Sequence, residues 1–355
     1  MADTPVAAPV TLPSAPHLRT PVTVPVMMRR VLYALAPALL AYIWFFGVGI
    51  LFNMAVAVGA AVATEALCLR LRHQPVQIAI GDYTAVVTGV LLAFALPPLT
   101  PWWITALGSL FAIGVGKHAY GGLGNNLFNP AMVGYVVLLV SFPDQLTHWL
   151  PPRMGDIDYR AVSWLANLRF TLTGALPDAY QLDALTRATP LDLMQTELGD
   201  MQMVNEIRRL ALFGDFGGRG WEWIGNFIAL GGLWLLFRGV IRWQIPTGML
   251  AGLAASASLF YLYDAASYPS PGFHVFSGGA LLGAFFIATD PVSAASTDRG
   301  RLIYGAGIGV LTYVIRTWGS FPDGVAFAVL LMNMAVPMID RYTHPAVYGT
   351  RGRAP

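Results

Sequence analysis

Between residues 31 and 340 the chain returns ten times to apolar runs, and only once does it leave them for a long polar stretch. The runs are approximately 31–47, 48–69, 82–99, 101–117, 128–142, 221–238, 245–263, 273–290, 301–318 and 321–340. A helix needs about 17–25 largely apolar residues to cross a bilayer. These runs reach or approach that length, so the pattern predicts an all-α polytopic membrane protein with about ten transmembrane helices. The composition agrees, at 56% hydrophobic and only 11% charged residues, where soluble domains carry about 25% charge.

The segments between the runs divide the chain. Residues 1–26 read as a flexible tail, 27–142 as a first helix group, 143–220 as the long polar loop, 221–343 as a second helix group and 344–355 as a second tail. Orientation follows from the short loops, because Lys and Arg concentrate on the cytoplasmic side. With the N-terminus inside, thirteen of the 21 Lys and Arg fall in cytoplasmic segments, Arg29, Arg30, Arg70, Arg72 and Lys117 among them. The short outer loops hold only Arg316. Both termini are therefore expected to be cytoplasmic and the 143–220 loop outside. Trp102, Trp103, Trp221, Trp223 and Trp318 fall at the expected outer ends, as an aromatic belt would.

Several chemistries are disfavoured by composition. One cysteine, Cys68, precludes an intrachain disulfide and a cysteine-held zinc or iron–sulfur centre. Six scattered histidines form no close metal pair, and a haem between two of them is only weakly signalled. Net charge +2 with a single Lys leaves no basic run for nucleic acid. A weak internal repeat sets Gly89 and Asn129-Pro130 against Gly252 and Asp290-Pro291 in the same direction. A five-plus-five division of the helices would instead invert the halves.

Three words carry polar groups. Thr189-Pro190-Leu191-Asp192 has the order of a helix N-terminus: a capping Thr, Pro at the first helical position and an early acid. An ordinary cap explains it, and the exposed N–H groups of such a terminus also suit a phosphate. The Gly-rich word at 120–130, with Asn125, Asn126 and Asn129-Pro130, cannot be helix interior. It is either a cytoplasmic turn with an Asn cap or a polar pocket whose amides meet the edge of a heteroaromatic ring. The third word, 288–297, breaks a span at Asp290-Pro291 and reads equally as a capped turn or a site wall. Glu65 lies within a span, where an ionisable group marks function or pairs with an Arg on another chain.

The words GGLGNNLFNPAMVGYVVLL (121–139), ATDPVSAAST (288–297), RGRLIYGAGIGVL (299–311) and PDGVAFAVLLMNMAVPMID (322–340) resemble the NqrB/RnfD family, and within it the RnfD type. RnfD belongs to the Rnf electron-transport complex, NqrB to the sodium-pumping NADH:quinone oxidoreductase. The resemblance spans about residues 28–350. It implies a urea-transporter-like helical fold in a bacterial inner membrane. It also implies FMN esterified through its phosphate to Thr189, in a word where Asp183, Thr186 and Ala188 match and Arg187 replaces the usual Gly. A non-covalent riboflavin nearer the cytoplasm is implied at Asn126, Asn129 and Asp290. The expected partners are RnfA, RnfB, RnfC, RnfE and RnfG, above all the periplasmic flavoprotein RnfG, together with a flavin transferase during maturation. The implied role is electron transfer between flavins coupled to sodium or proton transport, with no side-chain catalyst. A urea-transporter-like solute channel is the alternative that the fold alone permits.

Overall fold

The computed structural model describes residues 23–154, 162–177, 181–321 and 323–344. Among them the main helices are α1 (Val24–Phe46), α2 (Gly49–Leu71), α3 (Thr84–Ala95), α4 (Trp102–Gly114), α5 (Pro130–Ser141), α6 (Trp164–Thr173), α7 (Pro190–Gly199), α8 (Trp221–Phe237), α9 (Gln244–Tyr263), α10 (Pro271–Phe276), α11 (Asp298–Trp318) and α12 (Val325–Thr343). Among the described residues only α1, α2, α9 and α12 are both long and apolar enough to cross a membrane by themselves. The protein is thus an all-helical membrane protein whose remaining apolar elements are short or broken.

The first helix starts at Val24, earlier than the apolar run suggested, with Pro25 in its first turn. Proline suits that position because its missing N–H would have no intrahelical acceptor there. Arg29 and Arg30 are consequently helical rather than part of a leading tail. The expected span 82–99 is helical only over Thr84–Ala95, and 273–290 is interrupted. A short turn at Val76–Ile80 and the residues Gly81-Asp82-Tyr83 precede α3. In the second half α10 stops at Ser277-Gly278-Gly279 before a helical turn at Ala280–Leu282 and a π-turn at Gly283–Ile287.

The two halves correspond. In the first, α2 packs on α4; in the second, α9 packs on α11 along much of its length. Between them, α1 meets α8 and α5 meets α12, the first and last members of each half. The third member of each half is the shortened or interrupted one. The same-direction word match is therefore not a structural repeat: Gly89 lies in α3, the third member, and Gly252 in α9, the second. What Gly252 does provide is a close crossing. A Cβ there would stand 2.5 Å from the Ala306 carbonyl, and one at Gly305 2.5 Å from that of Ile245. Small residues four apart on both helices let the backbones approach, a recurrent device of membrane helices.

The 143–220 segment forms short helices, α6 and α7 among them, laid against the bundle. Leu191, Met194, Val204, Ile207, Phe213 and Phe273 make its small core, so α7 is buried against α10 rather than free in solvent.

Candidate functional site

Two cavities flank α5, one at its N-terminal end and the other running along it to its C-terminal end. The one at its C-terminal end measures about 290 Å³ and is lined by Thr189, Pro190, Leu191 and Asp192 together with α3, α8, α12 and the Gly278-Gly279 break. The other, at the N-terminal end, measures about 350 Å³ and is lined by Thr84, Lys117, Asn126, Asn129 and Asp290, with α1 and the π-turn. Both lie near or within the usual size range of small-molecule sites.

At the first cavity Thr189 is the N-cap of α7. Its Oγ1 accepts from Asp192 N at 3.2 Å, and Pro190 occupies the first turn, as the sequence indicated. Burial pushes the Asp192 carboxyl above the usual carboxylate range. Thr186 Oγ1 donates back to the Leu182 carbonyl at 3.0 Å, closing the turn before Thr189. Neither Thr186 nor Ala188 lines the cavity; they shape the approach to it. The Asp183 side chain lies outside the described part of the structure. Arg187 points its side chain to the exterior while its N–H donates to the Trp149 carbonyl at 2.8 Å. That bond sets Trp149 into the cavity wall, where its ring meets Trp221 at 4.7 Å and 63°. Trp221, expected in a lipid-facing belt, turns inward instead, whereas Trp102, Trp103, Trp223 and Trp318 are exposed. Tyr42, Phe94, Tyr135 and Phe321 complete the aromatic lining. Apolar planar walls with a hydroxyl at the edge suit a tethered aromatic ring system.

The polar wall of this cavity is Asp323. It accepts from Gly279 N at 2.6 Å and from Arg316 at 3.1 Å. Arg316 also donates to the carbonyls of His274 at 2.5 Å and Ser277 at 3.0 Å, capping the C-terminal end of α10. The ion pair thus pins the break of the interrupted helix.

At the second cavity Asn129 caps α5, its Oδ1 accepting from Met132 N at 3.2 Å and its Nδ2 donating to the Ile287 carbonyl at 3.1 Å. Its N–H donates to Asn333 Oδ1 at 3.1 Å. Asn126 donates to the Phe128 carbonyl at 3.1 Å, and Asp290 accepts from Ser293 Oγ at 2.7 Å. The structure therefore gathers Asn126, Asn129 and Asp290, which span 165 positions of sequence, at one cavity. Glu65 is buried as expected, but its partner is intrachain: Lys117 Nζ lies 2.5 Å from its Oε1. Lys117 is accordingly not the solvent-facing loop cation that the charge count assumed.

Sequence reasoning missed Lys117, Asn333 and the Trp149–Trp221 pair as site elements. Asn333 is fully buried and donates to Ser293 O at 3.0 Å and Tyr304 Oη at 2.8 Å. The signal was present, since an Asn amid apolar residues of a span requires partners.

A wall of consecutive residues separates the cavities. Asn129, Ala131 and Phe286 face one side and Met132 and Ile287 the other, all of them buried.

Residues 11–349 match the NQR2, RnfD, RnfE family. The chain belongs to that family. It is 48% identical over 343 residues to the D subunit of the ion-translocating oxidoreductase complex of Aliivibrio salmonicida, covering 95% of this chain and 97% of the relative. The protein of the same name from Vibrio cholerae is 48% identical over 95% of this chain and 98% of its own. That of Escherichia fergusonii is 47% identical over 92% and 94%. The match extends over both cavities and the segment bearing Thr189.

Proposed function

We propose that the chain is the membrane-embedded D subunit of an ion-translocating oxidoreductase complex of the Rnf type, carrying electrons between a flavin at each cavity. The observation that carries this reading is the pair of back-to-back cavities, each holding residues of one of the two family words for flavin attachment. FMN esterified to Thr189 would fill the first, and non-covalent riboflavin the second. The groups fit on chemical grounds: aromatic walls for an isoalloxazine, a helix N-terminus at Thr189 for a phosphate, and amide and carboxylate edges at Asn126 and Asp290 for ring heteroatoms. The flavins supply reversible one- and two-electron chemistry, and the protein positions and insulates them.

In this reading the termini face the cytoplasm and the 143–220 segment faces the periplasm of a bacterial inner membrane. The Thr189 cavity exchanges electrons with a periplasmic flavoprotein of the RnfG type, and the Asn129 cavity leads toward a soluble NADH-handling partner, with sodium or proton transport coupled to the transfer. RnfA, RnfB, RnfC and RnfE complete the assembly, and a flavin transferase attaches the FMN. In such an ester Thr189 would supply the oxygen that here accepts from the Asp192 N–H, and the helix N-terminus would offer its N–H groups to the phosphate.

A solute channel is disfavoured by the wall between the cavities, because Met132 and Ile287 are only 2% exposed and leave no open path there. The test is a denaturing gel viewed under ultraviolet light after coexpression with the complex and its flavin transferase. A fluorescent band that disappears in Thr189→Val is expected. A dark wild-type band would remove the basis of the assignment.

A further inference from the structure

The chain contains one lysine, and the fold buries it. Lys117 follows the C-terminal end of α4, and its Nζ donates to Glu65 Oε1 at 2.5 Å and to Thr84 Oγ1 at 2.7 Å. An ammonium group has three N–H donors and no acceptor. Two are held by protein, which leaves the third for a group in the cavity.

The direction of the ion pair matters. Lys117 and Thr84 line the Asn129 cavity, and Glu65 does not. The pair therefore stands with its positive end on the wall and its carboxylate behind. At the other cavity the order is reversed: Asp323 is on the wall and Arg316 behind it. The two buried ion pairs thus face their cavities with opposite polarity. The other polar side chains at the Asn129 cavity cannot substitute for the ammonium. Both functional atoms of the Asn129 amide are committed to Ile287 and Met132, the Asn126 amide is neutral and donates to the Phe128 carbonyl, and Asp290 is a carboxyl group rather than a cation.

Coulomb attraction in a poorly hydrated cavity is several-fold stronger than in water. A ligand that gains negative charge is stabilised by such a wall, and a ligand that stays neutral is not. Reduction places negative charge on the pyrimidine edge of an isoalloxazine. We propose that Lys117 is the cationic contact of the flavin in this cavity and makes the site hold the reduced ring more tightly than the oxidised one. Glu65 and Thr84 fix the ammonium on the wall as positioning residues. This rests on the reading of the cavity as a flavin site. For charge balance, two electrons arrive singly from the flavin at Thr189 and one proton from solvent forms the N5–H bond. The remaining negative charge lies against the ammonium, and no bond to Lys117 forms.

The experiment is a spectroelectrochemical titration of the non-covalent flavin in the purified complex, with riboflavin content measured by acid extraction. Removing Lys117 alone would strand the buried Glu65 carboxylate, so the informative variant is Glu65→Gln with Lys117→Met, compared with Lys117→Arg. Covalent fluorescence at Thr189 reports that the fold survives. The double variant is expected to keep riboflavin at wild-type stoichiometry while its preference for the reduced form falls at least tenfold. That fall lowers the two-electron midpoint potential by about 30 mV or more. Lys117→Arg is expected to retain most of the preference. An unchanged midpoint in the riboflavin-loaded double variant would overturn the proposal, as would an equal loss of affinity for both redox forms. Absence of extractable riboflavin from the wild-type complex would instead overturn the flavin-site reading, and the proposal with it.

Discussion

Gln195 Nε2 donates to the Gly319 carbonyl at 2.7 Å, across 124 positions of sequence. This contact ties the helix that Thr189 caps to the turn between α11 and α12. Gly319 adjoins Ser320 and Phe321, which line the Thr189 cavity. The attachment site and the cavity are thereby held in register. Gln195→Leu is expected to cost about 1 kcal/mol, the usual net worth of one such bond. Covalent flavin per chain should fall, as read from in-gel fluorescence normalised to protein, while the helical circular dichroism of the bundle stays unchanged.

The Arg316–Asp323 pair predicts an asymmetry between single and double variants. Arg316 has a side chain only 1% exposed, and losing one member of a buried pair costs about 3–5 kcal/mol. Arg316→Met and Asp323→Asn should each lower the thermal unfolding midpoint in detergent. The double variant should be less damaged than the sum of the two, because no lone charge is left. Additive losses would show that the pair is not energetically coupled.

Asn333 predicts a local loss at the other end. Asn333→Leu removes the acceptor of Asn129 N–H and the donor to Ser293 O and Tyr304 Oη. Leaving buried groups unpaired costs about 1–3 kcal/mol each. Non-covalent flavin should drop in acid extracts while covalent flavin at Thr189 persists, since Asn129, which Asn333 holds, lines its own cavity and not that of Thr189.

Asp192 gives a pH signature. Its carboxyl is raised by burial, so between the ordinary carboxylate range and its raised value the folded state holds more proton than the unfolded one. Stability contributed by this group therefore falls as pH rises through that window and is recovered as pH drops. Asp192→Asn should flatten this part of the pH dependence of the unfolding midpoint measured on protein lacking the flavin. A slope identical to wild type would show that Asp192 titrates normally.

Much of this architecture is legible in the chain. The apolar runs locate the membrane helices, and Thr189-Pro190 and Asn129-Pro130 announce the caps that the structure contains. From its own residues the Asp290 word reads equally as a capped turn or a site wall, and only the family resemblance sets it with Asn126, because what brings the two together is tertiary. The interruption at Ser277-Gly278-Gly279 was hidden inside the apolar run 273–290, since hydropathy measures transfer to lipid and not backbone continuity. Gly278 adopts φ of +62°, a conformation that glycine reaches without strain; the Gly-Gly pair was the available cue. Lys117 was misplaced for a different reason. A charge count treats every cation near a span end as solvated, and its partner Glu65 lies 52 positions away. Trp221 likewise looks like an interfacial residue until Trp149 and Phe46 are seen packed against it.

The wall formed by Ala131-Met132 and Phe286-Ile287 has an electrical meaning. The cavities it divides lie back to back, and together they run along a 12-residue helix, which rises about 18 Å, against a hydrocarbon layer of about 30 Å. Under the proposed function, an electron stepping between them crosses this wall inside the insulating layer while hydrated ions are held back. The step is then itself a displacement of charge along the membrane field, where a full crossing is worth about 2.3 kcal/mol per 100 mV. Membrane voltage would pull on the internal redox equilibrium directly, before any ion has moved.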